Sequence, residues 1–511
     1  MELFNGFIQP SRLSWHDYAV LISFVSFSLF LGLFLGREEK STHDFFLGGR
    51  KIPWWAACLS FVATEISAVT IISVPAVGYM ENWEYAQFFI GSLAARFAIA
   101  FIFIPAFYQY QCTSIYEFLR HRFGPETQYA GSILFFITRL FASGVRLMAA
   151  CLAVSVLVGW PIIPTIILFS VVSMIYISWG GIKAVIWTNV LQALIFIVGG
   201  LVAIGFILNQ IEGGLLSVIS IAGDAGRLRI FNWGPDFSAL SLGEYLKKFL
   251  SDPNIVWLAI LNGFFGSMAA FGTDQELMQR LLTVETRKES QKTMMLTPLG
   301  SLLVLFIYLS IGSCLYTFYF QHPQLALPSN LDKIFPHFIE QVMPTFMRGL
   351  LLSAIVMASI DSPLGSLTSS FVTDIYKTLI YKNGTEKHYL VVSRISVLVF
   401  GLILACIAYA FSHFQKILWL AFKIGGVTYG SLLGIFLLGL LTQRKGNRGN
   451  VLAMILSSVL MLILLILSEK KIIPLGWSWL LLIGTFLTFG LGWLLGESHL
   501  SQPKKAHASS I

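Results

Sequence analysis

Two arginines seven residues apart, Arg139 and Arg146, stand inside one long apolar run, where helical periodicity places them two turns apart on one face. Together they can offer a carboxylate a bidentate, charge-assisted fork, and Arg146 lies nearer the middle of the run. Four more bases, Arg96, Arg348, Arg394 and Lys423, and two acids, Glu65 and Asp361, occupy similar runs. A centred charge in hydrocarbon costs about 2.5 to 3.5 kcal/mol, so such residues face a bundle interior or a wet cavity, pair with each other, or snorkel from a run's end. A passive membrane anchor needs none of them.

Two oxygen-rich stretches accompany the charges. The stretch Ser60-Phe61-Val62-Ala63-Thr64-Glu65-Ile66-Ser67-Ala68-Val69-Thr70, with Pro75 downstream, mixes small, hydroxyl and β-branched residues and suits a uniform helix poorly. It suits a helix broken at mid-membrane, whose freed carbonyls can coordinate a cation; a proline kink packed by its neighbours is the alternative. Between Ser353 and Ser362, positions 355, 358, 359 and 362 share a helical face, with Asp361 alongside. Oxygen ligands of this kind suit a hard cation such as Na⁺, while small residues on the same stripe also allow close helix approach. Lys423, opening Lys423-Ile424-Gly425-Gly426-Val427-Thr428-Tyr429-Gly430, suits a substrate contact, a gate or a structural ion pair.

The elements that position these groups must be transmembrane helices. The chain has 511 residues, 56% apolar and 12% charged, with mean hydropathy +0.76, against roughly a quarter charged in a soluble domain. That composition excludes a soluble enzyme, and no catalytic constellation is evident. Thirteen apolar runs are long enough to cross a bilayer: 15–35, 52–79, 85–110, 128–158, 162–178, 184–208, 255–282, 294–320, 346–376, 389–411, 417–441, 451–467 and 475–495. The first is longer than a signal-peptide core and reads as a retained span. Nineteen of the 34 Lys and Arg fall on alternate inter-run segments and nine on the others, so the positive-inside rule sets the N-terminus outside and the C-terminus inside. Five scattered cysteines read as small packers, and the nine histidines form no zinc pattern. The segment 209–254 is the one long outer insertion, with room for a short helix, and the tail after Glu497 reads as disordered.

These residues resemble the sodium/solute symporter family, of the LeuT-type inverted-repeat fold. The resemblance rests on Asp44-Phe45-Phe46-Leu47-Gly48-Gly49-Arg50, Ile66-Ser67-Ala68 and Gly180-Gly181-Ile182-Lys183-Ala184-Val185, then Gly272-Thr273-Asp274-Gln275 with Gln279-Arg280, and Thr373-Asp374-Ile375-Tyr376. It implies an all-α membrane protein of thirteen helices. Residues 1–51 hold an extracellular N-terminus, the first helix and a basic inner loop; 52–208 form a five-helix repeat, 209–254 an outer loop and 255–441 an inverted repeat. Two further helices occupy 442–497, and 498–511 form a cytoplasmic tail.

The resemblance also implies a sodium site made of the carbonyls of Ala63, Ile66 and Ile355 and the Ser359 hydroxyl. Ala358 stands where the family often has a second hydroxyl residue. Where many members carry an aspartate in the sixth span this chain has Asn189, and the ninth has Asp361 beside Ser362; these three suggest a second Na⁺ or proton site, unless Asp361 pairs with a buried base. Val69 and Thr70 replace the acidic and amide residues of sugar-transporting members. Glu65, Ser67 and Thr70, with Gln87 on the next span, are similar to the pocket of carboxylate- or sialic-acid-carrying members, joined here by Arg139, Arg146 and Lys423. The implied function is Na⁺-coupled import of a small, anionic organic solute across the plasma (inner) membrane, by a monomer using alternating access. The first alternative is symport of a neutral sugar or polyol, with Arg139 and Arg146 merely pairing with Glu65 and Asp361. The second is a transporter-like sensor or channel, although the tail is too short for an appended signalling domain.

Overall fold

A computed structural model describes residues 13–35, 41–236, 240–360, 363–413 and 417–496. Asp361, Ser362, the side chains of Ala358 and Ser359, the tail after Gly496, and Arg12, Arg37, Lys40, Lys416, Lys504 and Lys505 of the charge pattern lie outside the described residues.

All extended secondary structure among those residues is helical. The first half holds α1 (Trp15–Leu35), α2 (Thr42–Leu47), α3 (Trp54–Glu65), α4 (Ala68–Met80), α5 (Gln87–Ala98), α6 (Ile104–Gln109), α7 (Tyr116–Arg122), α8 (Pro125–Val158), α9 (Ile162–Asn209) and α10 (Gly214–Asp224). The second holds α11 (Leu242–Ser251), α12 (Val256–Ser267), α13 (Gln275–Leu282), α14 (Arg287–Gln321), α15 (Ile334–Gln341), α16 (Met347–Ile360), α17 (Leu364–Ser370), α18 (Glu386–Phe411), α19 (Ile417–Leu441), α20 (Arg448–Glu469) and α21 (Trp477–Leu495).

By length and apolarity, ten helical stretches among the described residues can cross a membrane, or eleven when the bent pair α3 and α4 counts as one span. This is fewer than the thirteen expected, for two structural reasons. The fifth and sixth runs are joined in α9, divided only by a kink at Gly181 (φ 49°, ψ −156°), a conformation open to glycine, and the stretch Ile162–Ile175 is too short to qualify alone. The ninth run is divided among α16, α17 and a π-helical stretch, Phe371–Ile380. The outer segment holds two helices, α10 and α11, with Ser241 and Glu244 forming a capping box at the start of α11.

The break anticipated near Ala63 to Thr70 is present. Helical pairing in α3 ends when the Ile66 N–H donates to the Val62 carbonyl at 2.8 Å. Ile66 (φ −84°, ψ 91°) and Ser67 (φ −93°, ψ 177°) are extended, and α4 leaves at 55° to α3. A second break was not anticipated. The run 255–282 passes from α12 through π-helical Met268–Gly272 to Thr273 and an extended Asp274 (φ −108°, ψ 124°) before α13 begins. Asp274 caps the new helix by accepting the Glu276 N–H at 2.9 Å.

Bilayer lipid is as apolar as leucine, so these helices associate mainly by close packing and polar contacts. The tightest seam joins α5 and α12. A Cβ on Gly91 would collide with the Ile260 carbonyl oxygen, and one on Gly263 with that of Phe88. Gly91→Val or Gly263→Val should therefore lower the stability of the detergent-solubilised protein by about 1–3 kcal/mol, the usual range for overpacking, read as a reduced melting temperature. Gly205→Ala, where an added Cβ meets open space, should leave it unchanged.

Candidate functional site

The break in α3/α4 opens into a cavity of about 280 Å³. Thr64, Glu65, Ser67, Val69 and Thr70 form one side of it, and α8 contributes Arg139 and Arg146. Ser92 and Asn262 supply polar groups from the α5–α12 seam; Ser267 donates to Ser92 at 2.8 Å and Asn262 to the Ser478 carbonyl at 2.9 Å. One end is closed by aromatic rings: Trp477 stacks on Phe88 (6.0 Å, 11°) and Phe422 (5.1 Å, 27°), with Tyr85 edge-on to Phe422.

Opposite this cap lies a layer of ion pairs. The Arg139 guanidinium bonds both Asp274 and Glu276. Tyr429 reinforces it, its hydroxyl donating to Asp274 at 2.9 Å and accepting from Arg139 at 3.3 Å. Arg146 reaches Glu276 at 3.2 Å and also donates to the Thr64 carbonyl at the end of α3. Thus the second break supplies two acids that hold the two arginines, and one arginine satisfies an acceptor freed by the first break. Glu65 is paired separately, with Arg96 at 2.6 Å, and accepts from Ser301 at 2.5 Å. Arg96 lies over the Phe271 ring, 4.7 Å from its centroid.

Of the residues expected to bind solute, Glu65, Ser67, Thr70, Arg139 and Arg146 all line the cavity. Gln87 does not. On α5 the cavity face carries Phe88, Phe89 and Ser92; Gln87 points away, donates to the carbonyls of Glu84 (2.9 Å) and Asn254 (3.0 Å) and accepts the Asn232 N–H (3.0 Å), fastening the outer segment. Lys423 also lies off the cavity: on α19, Phe422, Gly425, Gly426 and Tyr429 face it, while Lys423 pairs with Glu469 at 2.7 Å. The pairing of Arg139 and Arg146 with Glu65 and Asp361, which belonged to the neutral-solute alternative, is corrected for Glu65, because Asp274 and Glu276 are their partners; Asp361 lies outside the described residues. Arg348 pairs with Asp17 of α1 at 3.2 Å, a structural role.

Asp274 and Glu276 were not anticipated as site residues, although both interrupt an apolar run as Glu65 does. Nor was the aromatic cap, because ring pairs from α5, α19 and α21 are brought together only by tertiary structure.

For the cation, the carbonyls of Ala63 and Ile66 lie at the break, and Ile355 is fully buried on α16, which packs against α4. Asn189 on α9 donates to Ser60 (3.3 Å) and Thr64 (3.1 Å), while its buried Oδ1 accepts no hydrogen bond among the described residues. No group of three or more His, Cys, Asp or Glu among those residues could hold a metal ion.

A membrane-helix bundle with a helix broken beside a cavity that holds a few hydroxyls and paired charges is the architecture of many secondary transporters. The chain belongs to the sodium:solute symporter family, which matches residues 45–457. It is similar to the sodium/sialic acid symporter NanT of Aliivibrio fischeri, 28% identical over 94% of this chain and 92% of that one. It is likewise 28% identical to the sodium/sialic acid symporter SiaT of Proteus mirabilis, over 87% and 88%. A solved structure of a substrate-bound, outward-open Na⁺-coupled sialic acid symporter with a novel Na⁺ site superposes with TM-score 0.82 at 25% identity, covering 94% of this chain and 97% of that one.

Breaking the Glu65–Arg96 pair by Arg96→Met leaves a partly buried carboxylate without its cation, and the cost lies below the about 3–5 kcal/mol typical of a fully buried pair. A fall in melting temperature should result, partly restored in Arg96→Met/Glu65→Gln. Lys423→Met, by contrast, should leave the apparent affinity for solute essentially unchanged in uptake assays, since its side chain lies off the cavity and pairs with Glu469.

Proposed function

We propose that this protein is a Na⁺-coupled symporter importing a small carboxylated solute of the sialic-acid class across the plasma membrane. The observation that carries the reading is a cavity lined by Ser67 and Thr70 of the broken helix together with Arg146, whose side chain keeps 20% exposure. Hydroxyls suit a polyhydroxylated body and a guanidinium suits its carboxylate. The relatives' sialic acid and sodium specificity supports this choice.

In this reading there are thirteen spans, ten of which form the inverted repeats 52–208 and 255–441 with the two breaks as counterparts; the N-terminus is outside and the C-terminus cytoplasmic, a monomer suffices, and the protein transports rather than catalyses. Na⁺ is held by the carbonyls of Ala63, Ile66 and Ile355 and the Ser359 hydroxyl, locking the first break against α16. Solute and ion each raise the other's affinity because both need that closed arrangement. A tenfold sodium gradient contributes about 1.4 kcal/mol per ion, and each net inward charge about 2.3 kcal/mol per 100 mV. A second cation at Asn189, Asp361 and Ser362 is supported by the free Asn189 Oδ1 and would make transport of a monoanion electrogenic.

A second reading, symport of a neutral sugar, is favoured by Arg139 and Arg146 already having carboxylate partners. Uptake into proteoliposomes decides between them. Accumulation of N-acetylneuraminate above equilibrium with Na⁺ but not K⁺, inhibited by carboxylates and not by glucose, is expected; accumulation of glucose instead supports the neutral reading, and equilibration without accumulation indicates a channel. Asp361→Asn should abolish the voltage dependence of that uptake if the second ion is carried there.

A further inference from the structure

Glu276 and its two arginines stand at a boundary. Arg139, Arg146 and Thr64 line the solute cavity, whereas Glu276 lines a separate crevice of about 10 Å³ with Gly181, Gln279, Arg280 and Gly365. The Arg146–Glu276 pair therefore spans the wall between the two spaces. Within that wall the bonds are unequal. Arg139 is 6% exposed and shared between two acids, while Arg146 is 20% exposed and holds Glu276 at 3.2 Å.

Geometry supplies the means of an exchange. Arg146, the partner facing the cavity, holds both Glu276 oxygens through Nη1, at 3.2 and 3.3 Å, and the Thr64 carbonyl through Nη2. A solute carboxylate that takes this edge in a bidentate fork therefore displaces Glu276. The released carboxylate does not become an orphan: Arg139 still bonds it, and Arg280, whose guanidinium donates to the Glu276 carbonyl at 2.5 Å, lies beside it.

We infer that Arg146–Glu276 is a solute-keyed gate between the cavity and the crevice, in which the solute's carboxylate replaces that of Glu276 on Arg146 and so opens the far side. Glu276 is then a specificity-determining residue: a neutral solute leaves the pair intact. The gate itself follows from geometry alone, whereas its key rests on the carboxylate reading of the cavity.

The test uses Gly365→Cys, where an added Cβ meets nothing within 4 Å, in the full-length chain with its five native cysteines replaced. The protein is reconstituted in proteoliposomes and labelled with a charged maleimide from the cavity side, so that the reagent must pass the gate to reach the crevice. Labelling should be slow in this background and at least about tenfold faster after Glu276→Gln, the change expected when about 1.4 kcal/mol of pairing is lost. Arg146→Gln should do the same, and Glu276→Asp should label slowly. Equal labelling in both neutral variants and the parent overturns the gate. N-acetylneuraminate with Na⁺ should accelerate labelling of the parent, and its methyl ester should not; acceleration by the ester to the same degree overturns the keying. If the neutral variants label faster while N-acetylneuraminate neither binds nor is transported, the gate stands and the carboxylate reading fails.

Discussion

A backbone carbonyl or N–H released inside a bilayer has no water to turn to, and this constraint governs the molecule. Breaking a helix there is tolerated only where other groups meet the freed polar atoms. At the first break, the Thr64 carbonyl takes a guanidinium from α8 and neighbouring carbonyls remain for an ion. At the second, the Asp274 side chain caps the new helix. Each break thus recruits charge into the membrane, and each charge must then be neutralised.

The neutralisation is shared between the two breaks. Acids at the second hold arginines on α8, and one of those arginines holds the first. A change at either interruption is transmitted to the other through two or three bonds. Strong bonds between few partners, set in a low-dielectric interior, make such an arrangement switch between discrete states rather than deform gradually.

Much of this was legible in the chain. The apolar runs and the charges between them point to a polytopic bundle, and Ala63 to Thr70 marks its own break by composition. Five of the seven residues expected at the solute site reach the cavity because burial of a polar group in hydrocarbon needs a reason. Gln87 and Lys423 departed because chemistry was weighed there without helical phase: each sits about one hundred degrees from the face its neighbours present. Asp274 and Glu276 were hidden inside a run read as uninterrupted, although the Gly-Thr-Asp step ahead of a new helix resembles an N-cap. The sequence separated the runs on either side of Gly181, where the structure has a kink within one continuous helical stretch.

The seam between α5 and α12 has a mechanical consequence. Where the carbonyl of one helix rests on the α-carbon of the other, at Gly91 and Gly263 in turn, there is no cushion of side chains to shear. The two rods slide past each other no more easily than adjacent teeth of one gear. They form a single plank along one flank of the cavity, carrying Phe88, Ser92, Asn262 and Ser267 together. A displacement of either helix therefore carries the other, and with it four side chains of the cavity wall at once.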